Sequence, residues 1–342
     1  RILGQNHILR HFETAISMGT ISHAYIINGE EGSGKMNLAI HFAKALQCER
    51  NNSNKAINED GERITVPGTA CGQCKSCKQT DSKNQPDIKY ITYEKSGIGV
   101  DEIREQINDD IDIKPYSSPY KIYIVPESEK MTVQAQNALL KTIEEPPEYA
   151  IIILLTTNAD TFLQTILSRC VMLNIRPVKE DIIKNQLTSQ YGVGDYEARV
   201  AATFSNGNPG KAIKLATSEE FKELKQYVVG MFMSLEKGGM DIIGEAIKKT
   251  GTFKKQIDEY FSLMRIWFRD ILVYKATKEE DQIIFQDEYM TIEKMSQTYS
   301  FDDINDILKA IDLAESRIKS NVNFDSTIEI LLLSIKEKTS GK

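Results

Sequence analysis

No run of eighteen apolar residues occurs in this sequence, so no membrane-spanning helix is expected. No signal peptide is visible at the start, and the chain is expected to be cytoplasmic. An excess of basic residues is missing as well. The 42 Lys and Arg against 49 Asp and Glu leave a formal charge of −7. That balance disfavours a free-standing, sequence-independent DNA binder but leaves room for a nucleic-acid role within a larger complex. Internal repeats and a low-complexity tail are absent. Cysteine is scarce outside one stretch: four of five fall between Cys48 and Cys77, and no histidine lies inside that span. In a reducing compartment such clustering points to metal rather than to disulfides. With 41% hydrophobic and 27% charged residues over 342 positions, the remainder has the profile of a soluble globular protein of two or three domains.

What is present centres on Gly29-Glu30-Glu31-Gly32-Ser33-Gly34-Lys35-Met36. Seven of the eight positions satisfy the phosphate-loop pattern G-x-x-x-x-G-K-[ST]. In such a loop backbone N–H groups cradle phosphate, the lysine reaches the β/γ oxygens, and the final hydroxyl binds Mg²⁺. Met36 breaks the pattern, because a thioether is a poor ligand for a hard cation. The flanks fit a working context. His23 to Asn28 reads as a buried strand, and Leu38, Ala39, Phe42, Ala43 and Leu46 repeat at helical spacing. An ordinary glycine turn at a helix start is the bland alternative.

Gln5 to Met18 reads as an amphipathic helix ended by Gly19. Strands are expected at Asp87–Thr92, Tyr120–Val125, Ala150–Leu155 and in a short piece reaching Asn174, with helices starting at Val100 and spanning Met131–Glu145. Alternating strands and helices predict a parallel α/β sheet, with ligand sites at the strand carboxyl ends. The third strand should end in an Asp that helps hold Mg²⁺. Pro126 stands there and cannot bind metal, while Glu127 occupies the place of a water-orienting acid or is a plain exposed carboxylate. Thr156-Thr157-Asn158 either sits near a γ-phosphate or caps the next segment. Beyond Pro177 strand patterns stop. Three short helices (Lys179–Gln190, Tyr196–Phe204, Pro209–Ala216) precede longer amphipathic helices broken near Gly238-Gly239 and Gly251. The expected domains are 1–176, 177–217 and 218–342, the last two all-helical.

After the phosphate-loop helix come Cys48, a polar stretch from Asn51 to Glu62 expected to be a surface loop, and Cys71-Gly72-Gln73-Cys74-Lys75-Ser76-Cys77. Four thiolates suffice for a closed, structural tetrahedral Zn²⁺ site. An iron–sulfur cluster or four unrelated thiols are the alternatives.

Asn137-Ala138-Leu139-Leu140-Lys141-Thr142-Ile143-Glu144-Glu145-Pro146-Pro147, Ser168-Arg169-Cys170, Gly4-Gln5 and His23-Ala24-Tyr25 together resemble the bacterial clamp-loader ATPase-like (AAA+) subunits. The four-cysteine module is similar too, with a longer gap between Cys48 and Cys71. The first half matches residue by residue and the second half in architecture only. The resemblance implies an AAA+ P-loop domain, a three-helix lid and a helical collar. Met36 and Pro126 remove both protein ligands for Mg²⁺, which the family's motor subunits keep. The chain therefore resembles the member that does not drive the ATP cycle, and ATP with Mg²⁺ is not expected to bind productively at Gly29, Gly34 and Lys35. That member offers the arginine of its Ser-Arg-Cys motif, here Arg169 beside Ser168, to ATP on a neighbour. A surface ion pair is the alternative for Arg169. Lys211 stands near the place of a lid sensor arginine, or is a solvated lysine.

The implied role is an accessory stator of the DNA polymerase III clamp loader, not an enzyme alone. Its implied partners are the tau/gamma ATPase subunits and a delta subunit in a heteropentameric ring and, through them, the sliding clamp and primer–template DNA. Two rivals remain: an ATP-hydrolysing motor subunit or DNA-repair ATPase, and a zinc-dependent nucleic-acid module. Lys75, Lys78 and Lys83 would serve the last, although no aromatic residues are interleaved for base stacking.

Overall fold

The computed structural model describes residues 2–52, 67–94, 96–238 and 241–340. Contacts divide the chain into two compact units, Arg1–Ile183 with Asn206–Lys211, and Lys184–Ser205 with Ala212–Lys342. Among the described residues no helix is long and apolar enough to cross a membrane.

The first unit begins with α1 (Asn6–Met18), which Gly19 ends at φ 66°, a left-handed conformation that glycine adopts without penalty. β1 (Ala24–Asn28), the glycine loop and α2 (Lys35–Leu46) follow. Then come α3 (Glu49–Asn52), α4 (Lys75–Asp81), β2 (Ile88–Tyr90) and α5 (Val100–Ile103), the last continuing into a π-helical turn at Arg104–Asn108. β3 (Lys121–Val125), α6 (Val133–Glu144), β4 (Ala150–Thr156), α7 (Gln164–Leu167) and β5 (Val171–Asn174) complete the layer, and α8 (Glu180–Tyr191) starts here.

All strand pairs are parallel, in the order β2-β3-β4-β1-β5. This is the parallel α/β sheet expected of a P-loop (AAA+) domain. Every residue of β3 and of β4 is buried, as a sheet covered on both faces requires. Tyr25, Ile27, Ile122, Ile124, Ile151 and Ile153 face α1 and α2, where Phe12 stacks on Phe42 at 4.0 Å between centroids. Ile26, Tyr123, Val125, Ile152 and Leu154 face α5, α6 and α7.

Two boundaries differ from expectation for local reasons. α6 starts at Val133 because the Thr132 hydroxyl caps it, accepting from the Ala135 N–H at 3.1 Å. Asn51 and Asn52, expected in a loop, close the short helix α3 through side-chain bonds to the carbonyls of Ala45 and Leu46. The rest of that stretch, 53–62, lies outside the described residues, as does Gly239.

The second unit is helical: α9 (Asp195–Phe204), α10 (Pro209–Thr217, whose first residues belong to the first unit), α11 (Glu219–Lys237), α12 (Asp241–Gly251), α13 (Ile257–Thr277), α14 (Tyr289–Thr298), α15 (Phe301–Lys319) and α16 (Phe324–Ser340). α13 is its centre and buries Tyr260, Phe261, Met264, Trp267, Phe268 and Ile271. Phe232 of α11 stacks on Trp267 at 5.7 Å. The buried Asp270 carboxylate accepts from the N–H groups of Ile284 and Phe285, both at 2.8 Å, and so fixes the turn leading to α14.

Candidate functional site

The glycine loop joins the carboxyl end of β1 to the start of α2, where the geometry of a parallel sheet gathers its ligands. Gly32 and Gly34 adopt φ 78° and 95°, which a side chain would strain. Lys35 does not reach into open space. Its Nζ donates to the carbonyls of Gly29 at 2.6 Å and Glu30 at 2.8 Å. Burial pulls its ammonium below the ordinary lysine range, against the opposing fields of Glu129, Glu31, Glu127 and Glu30. The Lys35 ammonium is thus already occupied by its own loop. Met36 is half-buried and packs against the core beside α1.

A turn 178 residues away in sequence sits on the loop. Asn208 Nδ2 donates to the Glu31 carbonyl at 2.7 Å, and the Gly210 N–H donates to the Gly32 carbonyl at 3.1 Å. A Cβ on Gly210 would lie 2.4 Å from the Gly32 oxygen, so the turn can approach the loop this closely only because residue 210 is glycine. Next to this contact is a cavity of about 260 Å³ lined by Asn28, Gly29, Ser33, Asn174, Arg176 and Asn208 among others. Arg176 is held in place by Gln5, which exchanges hydrogen bonds with its backbone at 2.7 and 3.0 Å.

At the end of β3, Pro126 fills the expected metal-ligand position, and Glu127 stands at φ 47°. The Glu127 carboxylate is exposed but engaged: Lys130 pairs with it at 2.7 Å and the Tyr93 hydroxyl donates to its other oxygen. These two partners hold its pKa below the usual carboxylate range. Thr157 binds Glu129 through both its N–H (3.2 Å) and its hydroxyl (2.8 Å), and Asn158 caps the following turn at Asp160. The capping alternative thus describes Asn158.

Arg169 follows α7. Its Nη1 donates to the Thr165 carbonyl at 3.0 Å and to Ser168 Oγ at 3.2 Å, while its Nη2 pairs with Glu144 at 2.9 Å. Among the described residues none of these bonds reaches the phosphate loop. Burial pushes the neighbouring Cys170 thiol up to about 12, so it stays protonated. The Lys211 N–H donates to Asn208 Oδ1 at 3.1 Å and helps brace the turn over the loop.

The structure brings together Cys48, Cys71, Cys74 and Cys77, with all four sulfurs within 4.8 Å of one another. Cys48 lies just past α2, Cys74 caps α4 and Cys77 lies within it. Gly72, at φ 73°, makes the turn between them. Backbone N–H groups of Cys71, Cys74 and Cys77 point at the sulfurs of Cys48, Cys71 and Cys74 at 3.3, 3.4 and 3.4 Å. N–H bonds from Gln73 and Cys74 lower the Cys71 thiol to about 6, whereas burial raises that of Cys77. Tetrahedral Zn–S bonds of about 2.3 Å place sulfurs about 3.8 Å apart, so this donor set fits a four-coordinate thiolate ion.

Sequence reasoning found the loop, the cysteines and Arg169 because each is a local pattern. It saw Asn206–Gly210 as a turn and missed its seat on the loop. It passed over Tyr93 and Glu129, and saw Glu144 only as part of a motif; nothing local marks them.

A phosphate loop at the end of the first strand of a parallel sheet, with a four-thiol knot behind its helix, defines a P-loop protein of the AAA+ kind. The family model described as DNA polymerase III, delta subunit, matches residues 4–179, and its C-terminal companion matches residues 244–337. The chain belongs to that family. It resembles the DNA polymerase III subunit delta′ of Bacillus subtilis, 26% identical over 337 residues that make up 97% of this chain and 96% of the relative. It is also 32% identical over 219 residues to the subunit tau of the same organism, and 33% identical over 186 residues to the tau/gamma subunit of Haemophilus influenzae. Those matches take in 63% and 54% of this chain, but only 36% and 25% of those longer relatives.

Proposed function

We propose that this chain is a non-hydrolysing, delta′-type stator of a DNA polymerase III clamp loader. It works beside tau/gamma-type ATPase subunits and a delta subunit in a heteropentameric ring that places the sliding clamp on primer–template DNA. The reading rests chiefly on the phosphate loop. Both Mg²⁺ ligand positions are lost, at Met36 and Pro126, and Lys35 is bonded to two carbonyls of its own loop. Residues 1–176 would form the AAA+ domain, 177–217 the lid and 218–342 the collar. Cys48, Cys71, Cys74 and Cys77 would hold Zn²⁺ as a structural cross-link with no open coordination position for substrate.

The chemistry assigned to this chain is carried by Arg169. Presented to ATP bound on a neighbour, its guanidinium would stabilise charge developing on the γ-phosphate, a contribution of about 10³–10⁵ in rate where such fingers act. Ser168 holds one edge of that group. Replacing Arg169 by Ala in the assembled loader is expected to cut clamp- and DNA-stimulated ATP turnover at the facing site by at least about a hundredfold. Assembly and thermal stability should be retained. Unchanged turnover would overturn the finger role.

A further inference from the structure

We propose that Glu144 is a stand-in anion for Arg169, a carboxylate that holds the guanidinium in line and is displaced by the γ-phosphate of the neighbouring subunit's ATP. The proposal rests on the trans role given to Arg169 above. Three observations carry it. First, the guanidinium is held from two sides: Nη1 is bound by its own chain at Thr165 and Ser168, and Nη2 meets Glu144 at 2.9 Å. The first grip fixes the plane of the group and leaves the Nη2 edge as the one that meets an anion. Second, both partners are open to solvent, with side chains 41% and 42% exposed. An exposed pair of this kind is weak and exchanges readily. Third, Glu144 is the last residue of α6. The carbonyl end of a helix disfavours a carboxylate, so local helix energetics do not account for an acid there.

A carboxylate carries one charge, and a γ-phosphate carries more, with three oxygens in the geometry that a guanidinium reads bidentately. In the resting chain Glu144 would therefore occupy the Nη2 edge of Arg169, the edge left free by its bonds to Thr165 and Ser168. In the loader it would compete modestly with the substrate. Glu144 does not touch the reacting atoms and is a positioning residue.

The test is a pair of single variants and their double, each in the assembled loader with ATP. Glu144→Gln keeps the size and the hydrogen-bond acceptor but removes the competing charge. It should raise kcat/KM for ATP about two- to fivefold. In the Arg169→Ala background the same change should do nothing, and melting temperatures should match throughout. If Arg169→Ala lowers turnover while Glu144→Gln equals wild type, the stand-in role fails and the finger survives. An equal effect of Glu144→Gln in both backgrounds also overturns it, because the effect would not run through Arg169. If Arg169→Ala itself is silent, both readings fall.

Discussion

Single residues in the first unit are held by partners outside their own strand or helix. Lys121 is almost fully buried; its Nζ donates to the carbonyls of Asp110 (2.6 Å) and Ile113 (2.9 Å) and pairs with the Asp110 carboxylate at 2.8 Å. Burial alone would raise the Asp110 pKa, but Lys121, Lys89 and Tyr123 outweigh it and hold it below the usual value. A depressed carboxylate stabilises the fold above its unfolded pKa of about 4, and that stability is lost as pH falls below this value. Asp110→Asn should therefore cost about 1–3 kcal/mol at pH 7, since it leaves the buried Lys121 ammonium with carbonyl acceptors but no counter-charge. The gap in melting temperature from wild type should close as pH drops through 4. A gap that stays constant from pH 7 to pH 3 would contradict the assignment. Residues of this kind were not legible in the sequence. Lys121 opens a strand pattern that reads correctly, yet nothing nearby says that its charge lies inside. The phosphate loop and the C-x-x-C steps were legible because their chemistry is written in consecutive residues.

Elements are joined by side chains as much as by packing. The thiol knot takes Cys48 from just past α2 and Cys74 and Cys77 from α4, while Lys44 of α2 pairs with Asp81 of α4 at 2.6 Å. Gln47, just beyond α2, exchanges hydrogen bonds with the Tyr120 backbone at the head of β3. A bound zinc ion would thus brace the far end of the helix that begins at the phosphate loop. Cys74→Ser should lower zinc content from one ion per chain towards none and reduce the melting temperature by several degrees. Full zinc retention, read by a chromogenic chelator after thiol release, would sink the metal assignment. The order of strands and helices was readable, because period-2 and period-3.6 patterns survive in a layered fold. The register between them was not. The contact of Gly210 with Gly32 needs a chain reversal that no local pattern records.

The whole molecule has two units, each with its own core, and its resemblance to delta′ runs along 97% of its length. The stator reading therefore makes a prediction for the isolated chain. ATP should bind weakly or not at all by calorimetry, and Mg²⁺ should not change the outcome. Tight, Mg²⁺-dependent binding would restore the motor reading. ATP hydrolysis by the chain alone is a weaker measurement, because a motor subunit without its neighbour also lacks an arginine in trans.

The seat of Gly210 on Gly32 bears on how such a subunit persists through time. On the stator reading, Met36→Thr with Pro126→Asp would return both metal ligands. The loop crest would still be pinned by backbone contacts, and Lys35 would still be occupied by two carbonyls. On that reading neither repair alone, nor the two together, would open the site while the turn stays in place. On that reading the closed loop would act as a ratchet, since a return to a motor would need more than its two metal ligands.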